Sequence, residues 1–183
     1  MHKDIKEILY AESEIKARVA EIGGALTDKY SKIADAGEPV VLISVLRGAA
    51  IFMADLARAT EIPLEMDYMA VSSYGSGVKS SGVVNIVKDL STSIEGKHVI
   101  IAEDILDSGL TLEFLLESLG ARKPASLEVV TLLRKRTRQQ ADICPAHIGF
   151  ECPDEFIVGY GLDYAERYRN LPYIGILKPE VYE

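Results

Sequence analysis

Residues 99–112 read V-I-I-A-E-D-I-L-D-S-G-L-T-L, and this passage leaves few folds open. Val99 to Ala102 are apolar or small and mostly β-branched, the composition of a strand covered on both faces. A carboxylate pair, Glu103 and Asp104, follows at the expected strand end, and Asp107-Ser108-Gly109-Leu110-Thr111 stands where a helix should begin. Leu112, Leu115, Leu116 and Leu119 then recur at the spacing of one apolar helical stripe. A buried strand feeding a helix through a short loop is the repeating unit of an α/β fold, in which such loops gather at one edge of a parallel sheet.

The chemistry of that loop falls into two halves. Backbone N–H groups from Ser108 to Thr111 lie in the first turn of a helix, where they lack intrahelical partners, and with the hydroxyls of Ser108 and Thr111 they can hold a phosphate dianion. Gly109 lets the backbone approach closely. Glu103 and Asp104 would repel phosphate, but carboxylates accept hydrogen bonds from vicinal hydroxyls or hold Mg²⁺ through water. The implied ligand is a sugar phosphate.

The remaining chain extends the same pattern. Ile15, Val19, Ile22, Leu26, Tyr30 and Ile33 step by three or four and predict an amphipathic helix over about 12–35, weakened by Gly23-Gly24. Val40 to Val45 is a second buried strand, and Leu46-Arg47-Gly48-Ala49-Ala50 turns it into a helix. Arg47 reads either as a surface charge or as a cation facing the ligand crevice. Residues 64–71 alternate as a strand, 72–82 are rich in Ser and Gly without hydrophobic period, and 83–87 resume an apolar run. Leu127 to Leu133 predicts a further strand ending in the basic run Arg134-Lys135-Arg136-Thr137-Arg138, which reads as a solvated turn or as a ligand contact.

Length and charge narrow the class. The 183 residues suit one domain, 1–183, with one sizeable core. With 28 acidic against 20 basic residues the net charge is −8, which argues against a nucleic-acid partner. No apolar run approaches a membrane span, and Met1-His2-Lys3-Asp4 places charge where a secretory signal needs an apolar core, so a cytoplasmic location is expected. Cys144 and Cys152 have no metal-ligand spacing and read as free thiols.

The segment E-D-I-L-D-S-G-L-T resembles the 5-phosphoribosyl-1-diphosphate (PRPP) motif of the type I phosphoribosyltransferases, two acidic residues followed by D-S/T-G-x-T. The resemblance continues in family order over nearly the whole chain, from Asp4 to about Ile176. It implies that Arg47 and Gly48 form a pyrophosphate loop with a cis peptide before Arg47, and that Ser73-Tyr74 begin a lid over about 73–82, as in the 6-oxopurine members. L-L-R-K-R-T resembles the purine-reading turn of the hypoxanthine-guanine members, with Lys135 as the lysine. An ammonium has donors only and therefore favours a keto oxygen at purine C6 over an amino group. C-P-D-E-F-I-V-G-Y-G-L-D-Y resembles the base-binding hood. There Phe156 would stack on the purine, the backbone of Ile157 would contact its edge, and Asp163 would coordinate Mg²⁺ on the pyrophosphate side. Arg169 would grip pyrophosphate. Three positions depart from the family pattern: Ala102 for a bulkier aliphatic, Ile157 for valine, and Arg47 for a common lysine.

By that resemblance the fold is a mainly parallel sheet of about five strands flanked by helices, with a small hood from 148–183 and the N-terminal segment. The implied activity is Mg²⁺-dependent transfer of phosphoribosyl from PRPP to N9 of hypoxanthine or guanine. Asp107 is then the proton acceptor at purine N7, Glu103 and Asp104 hold the ribose hydroxyls or the metal, and residues 107–111 hold the phosphate. A homodimer or homotetramer is expected. Two alternatives stay open at this stage: a non-catalytic nucleotide-binding regulator, and a phosphoribosyltransferase for xanthine or another base.

Overall fold

The computed structural model describes residues 1–73 and 84–182; Tyr74 and most of the expected lid lie outside the described residues. Helix α1 (Glu12–Asp35) has the length its apolar period predicts, and Ile15, Val19, Ile22, Leu26 and Tyr30 are its buried face. Its first turn is capped by the Glu14 carboxylate, which accepts a hydrogen bond from the Ala11 N–H at 2.7 Å.

The main sheet is built from β2 (Val40–Leu46), β3 (Glu65–Ser73), β4 (Val84–Lys88), β5 (His98–Leu106), β6 (Ser126–Arg134) and β7 (His147–Glu151), with spatial order β4-β3-β2-β5-β6-β7. All pairings are parallel except β3 with β4. β7 adds a sixth strand to the five expected and moves residues 147–151 out of the hood and into the main sheet. It is short and half-buried with a glycine at its centre, so it carries little period-two signal.

Side chains alternate across the buried strands. Leu42, Ile100 and Val130 pack with α1 and with Phe52, Met53 and Leu56 of α2 (Ala50–Ala59) on one face. Val41, Ile43, Val99, Ile101 and Val129 pack with Leu112, Leu115 and Leu119 of α3 (Leu110–Gly120) on the other. Each such fully buried aliphatic contributes about 1.5–3 kcal/mol relative to exposure, which makes the double-sided strands β2 and β5 the rigid centre of the fold.

A second sheet, the hood, joins distant parts of the chain. β1 (Ile5–Tyr10) pairs antiparallel with β9 (Ile174–Leu177), which pairs with β8 (Ile157–Val158). A short helix, α4 (Pro179–Tyr182), follows. Among the described residues no helix is long and apolar enough to cross a membrane.

Candidate active site

β2 and β5 lie side by side and parallel, with Val40 opposite His98 and Ser44 opposite Ala102. The helices that follow them leave toward opposite faces of the sheet. This is a topological switch point, and the crevice it opens at the carboxyl ends of the strands is where an α/β sheet holds a ligand. A cleft of about 270 Å³ lies there, lined by Gly48 from one loop and by Glu103, Asp104, Asp107, Ser108, Gly109 and Thr111 from the other. Leu110 does not line it; its side chain is 40% exposed, so only its backbone belongs to the loop.

The acidic pair sits deeper than its sequence position implied. β5 runs on to Leu106, so Glu103 and Asp104 lie within the strand and not beyond its end. Burial pushes the Asp104 carboxyl up to about 6, while Glu103 is raised well above the ordinary carboxylate range by burial and then by the neighbouring Asp104 charge. Asp104 Oδ1 accepts the Ile105 N–H at 2.8 Å, whereas Glu103 Oε2 is shielded from solvent without a partner among the described residues. A buried acceptor left unpaired is destabilising unless a ligand or an ion engages it. Oxygen donors of this kind suit Mg²⁺, and the pair therefore fits that ion. Among the described residues no three His, Cys, Asp or Glu side chains form a group that could hold a metal ion.

The loop beyond is shaped for an anion. Gly109 is the residue preceding α3 and has φ +82°, a left-handed conformation that side chains other than glycine tolerate poorly. The first intrahelical bond runs from the Glu113 N–H to the Gly109 carbonyl at 2.8 Å, leaving the preceding N–H groups unused by the helix. Asp107 Oδ1 is shielded from solvent, has no hydrogen-bond partner among the described residues, and lies 3.2 Å from Arg138 Nε.

The facing loop interlocks with the acidic pair. The Leu46–Arg47 peptide is cis, as the sequence reading expected. A Cβ at Gly48 would stand 1.7 Å from Asp104 Oδ2, so any side chain there would force either the loop or the carboxylate to shift. Arg47 Nη2 meets Glu166 Oε1 at 2.5 Å, and Arg169 Nη2 meets Asp163 Oδ1 at 2.8 Å and Glu166 Oε2 at 3.8 Å. Glu166 thus sits between two cations expected to grip pyrophosphate. Sequence reasoning missed it, because an ion pair 119 residues apart leaves no local signature.

The hood residues are divided. Lys135 is buried and donates to the Glu155 carbonyl at 2.8 Å, so the solvated-turn reading fails for this member of the basic run. Ser73 closes β3. Phe156 is 37% exposed, stacked on Tyr182 with centroids 5.0 Å apart and edge-on to Tyr164 at 5.3 Å. Tyr182 is a second contributor that no motif announced. The Ile157 side chain packs in the core, leaving only its backbone for the role expected of it.

The Phosphoribosyl transferase domain family matches residues 12–165. The hypoxanthine-guanine phosphoribosyltransferase of Bacillus subtilis (strain 168) is 54% identical over 100% of this chain and 99% of its own length. Its counterpart from Mycobacterium avium is 52% identical over 98% of this chain and 89% of its own. A crystal structure of a hypoxanthine phosphoribosyltransferase from Staphylococcus aureus superposes with a TM-score of 0.94 at 51% identity, covering 100% of this chain and 97% of that one. Likeness that spans the whole length, and not the loop alone, leads to one conclusion: the chain belongs to the phosphoribosyltransferase family, among its hypoxanthine-guanine members.

Proposed function

We propose that this enzyme of purine salvage transfers the 5-phosphoribosyl group of PRPP to N9 of hypoxanthine or guanine, giving IMP or GMP and pyrophosphate. The observation that carries the reading is the switch-point cleft, where a buried acidic pair adjoins a phosphate-shaped turn. Residues 108–111 hold the 5′-phosphate with main-chain N–H groups and the hydroxyls of Ser108 and Thr111. Glu103 and Asp104 accept hydrogen bonds from the ribose hydroxyls. Arg47, Gly48 and Arg169 receive the diphosphate, and Arg169 suits it because a guanidinium presents paired donors.

On the base side, Phe156 offers a ring face to the purine, the Ile157 backbone meets its edge, and Lys135 donates to the C6 oxygen. Asp107 accepts the proton from N7 while N9 bonds to the anomeric carbon and the bond to the diphosphate oxygen breaks. The carboxylates around the ribose offset the positive charge that builds on its ring, so positioning and electrostatics supply most of the acceleration. Asp163, with Glu103 and Asp104 through water or the ribose hydroxyls, would hold Mg²⁺, which would neutralise the leaving diphosphate. Ser73 and Tyr74 begin a lid that excludes water from the reacting sugar. Residues 1–183 act as one domain, in a homodimer or homotetramer, in the cytoplasm.

Initial rates of pyrophosphate release with hypoxanthine, guanine, xanthine and adenine test the reading. The two 6-oxopurines named should be preferred, and Asp107→Asn should lower kcat by roughly 10²-fold or more. Preferred turnover of adenine would contradict the role of Lys135, and full activity in Asp107→Asn would remove Asp107 from the chemistry.

A further inference from the structure

We infer that Arg138 is a positioning residue for Asp107, tying it to the hood so that the proton acceptor is aligned when the base site is formed. The inference rests on the role of Asp107 given above. Arg138 is the last residue of the basic run, from which the reaction has so far used only Lys135. Two other members of the run have partners: Arg134 Nε donates to Glu151 Oε1 at 2.9 Å and Lys135 Nζ to the Glu155 carbonyl at 2.8 Å.

Arg138 reaches in two directions. Nε lies 3.2 Å from Asp107 Oδ1, and Nη1 lies 3.4 Å from Asp154 Oδ1. Asp154 Oδ1 is also 3.8 Å from Lys135 Nζ, so one carboxylate near the hood lies close to both the purine lysine and the cation beside Asp107. The turn that carries Arg138 is pinned by main-chain bonds. Its Arg138 N–H donates to the Lys135 carbonyl at 3.0 Å, and the Lys135 N–H donates to the Leu106 carbonyl at 2.9 Å, immediately before Asp107.

Asp107 Oδ1 has no hydrogen-bond partner among the described residues, which leaves the Arg138 guanidinium as the group that offsets its charge. The Arg138 and Asp107 side chains are 53% and 43% exposed, so the pair adds little to the stability of the fold. Its value is directional. A carboxylate that must meet one ring nitrogen works only in a narrow range of orientations, and a cation held between Asp107 and Asp154 restricts that range.

A double-mutant cycle in steady-state kinetics with hypoxanthine and PRPP tests this, with thermal melting of each variant alongside. Arg138→Gln should lower kcat about tenfold with the KM for PRPP and the Tm unchanged, and Arg138→Lys should recover to within about threefold. In an Asp107→Asn background the same Arg138→Gln change should lower kcat by less than about twofold, because the proton acceptor that Arg138 aligns is no longer there. Equal losses in both backgrounds, a change confined to KM, or full activity in Arg138→Gln would overturn the proposal while leaving the general reading intact. A wild-type protein inactive on both 6-oxopurines would overturn both.

Discussion

The loops after β2 and β5 start from adjacent, parallel, doubly covered strands, yet their chemistry is opposite. The first carries a cis peptide, Arg47 and a glycine, and its cation is 64% exposed. The second carries two recessed carboxylates, a hydroxyl-bearing turn and a left-handed glycine. In the function proposed, one offers a cation to the leaving group and the other meets the sugar and its phosphate. They are nonetheless one object, because Asp104 occupies the space that a side chain at residue 48 would need. Backbone geometry alone therefore does not decide what a strand-to-helix loop binds; the charges placed on it do.

The sharpest way to break the pairing of the loops is Gly48→Ala. The added methyl must displace either the loop after β2 or Asp104, and a misplacement of about 1 Å in a site of this kind lowers rates by about 10²-fold. Initial-rate kinetics should show a fall in kcat/KM of that order; near-wild-type activity would mean that the loops move independently.

A smaller effect sharpens the electrostatic half. Asp104 titrates at about 6 when folded against an ordinary value of 3.8, so its charged form is disfavoured by folding and weakens the ligand-free protein at neutral pH. The destabilisation is complete above the folded value and vanishes below the unfolded one. Asp104→Asn should therefore melt roughly 2–5 °C above wild type near pH 7.5, with the gap closing as pH falls through about 6 toward 4. A gap independent of pH would contradict this account. The smallest effect is on the cationic loop: Glu166→Gln frees an exposed Arg47, and the KM for PRPP should fall by no more than about threefold, since such pairs are weak. A rise in that KM would show that Glu166 assists the ligand instead of standing in its place.

How much of this was legible from residues alone follows the range of the interactions. The strand-turn-helix at 98–120 and the apolar runs of the buried strands are local, and each left a pattern in the chain, whereas the cis bond before Arg47 was reached through the resemblance to the family. The depth of Glu103 and Asp104 was not legible, because strand length there is set by pairing with β6, where Glu103 lies opposite Thr131. Glu166, Arg138 and Tyr182 escaped for the same reason. Each acquires its importance from a partner far off in sequence, Arg47, Asp107 and Phe156 respectively, and a charge or an aromatic ring with no period carries no hint of that partner. Phe156 was anticipated as a platform for the purine, but the ring that stacks on it was not.

The pairing of β1 with β9 has a consequence for how the molecule comes into being. By residue 120 the chain contains every residue that lines the cleft between the loops after β2 and β5, although β6, which pairs with β5, is still to come. The first strand of the hood must still wait, unpaired, until residues 174–177 emerge, and with them the ring of Tyr182 that stacks on Phe156. A chain that stops before residue 174 would thus keep every residue lining the cleft yet lack the partner strand of β1 and the ring that stacks on Phe156.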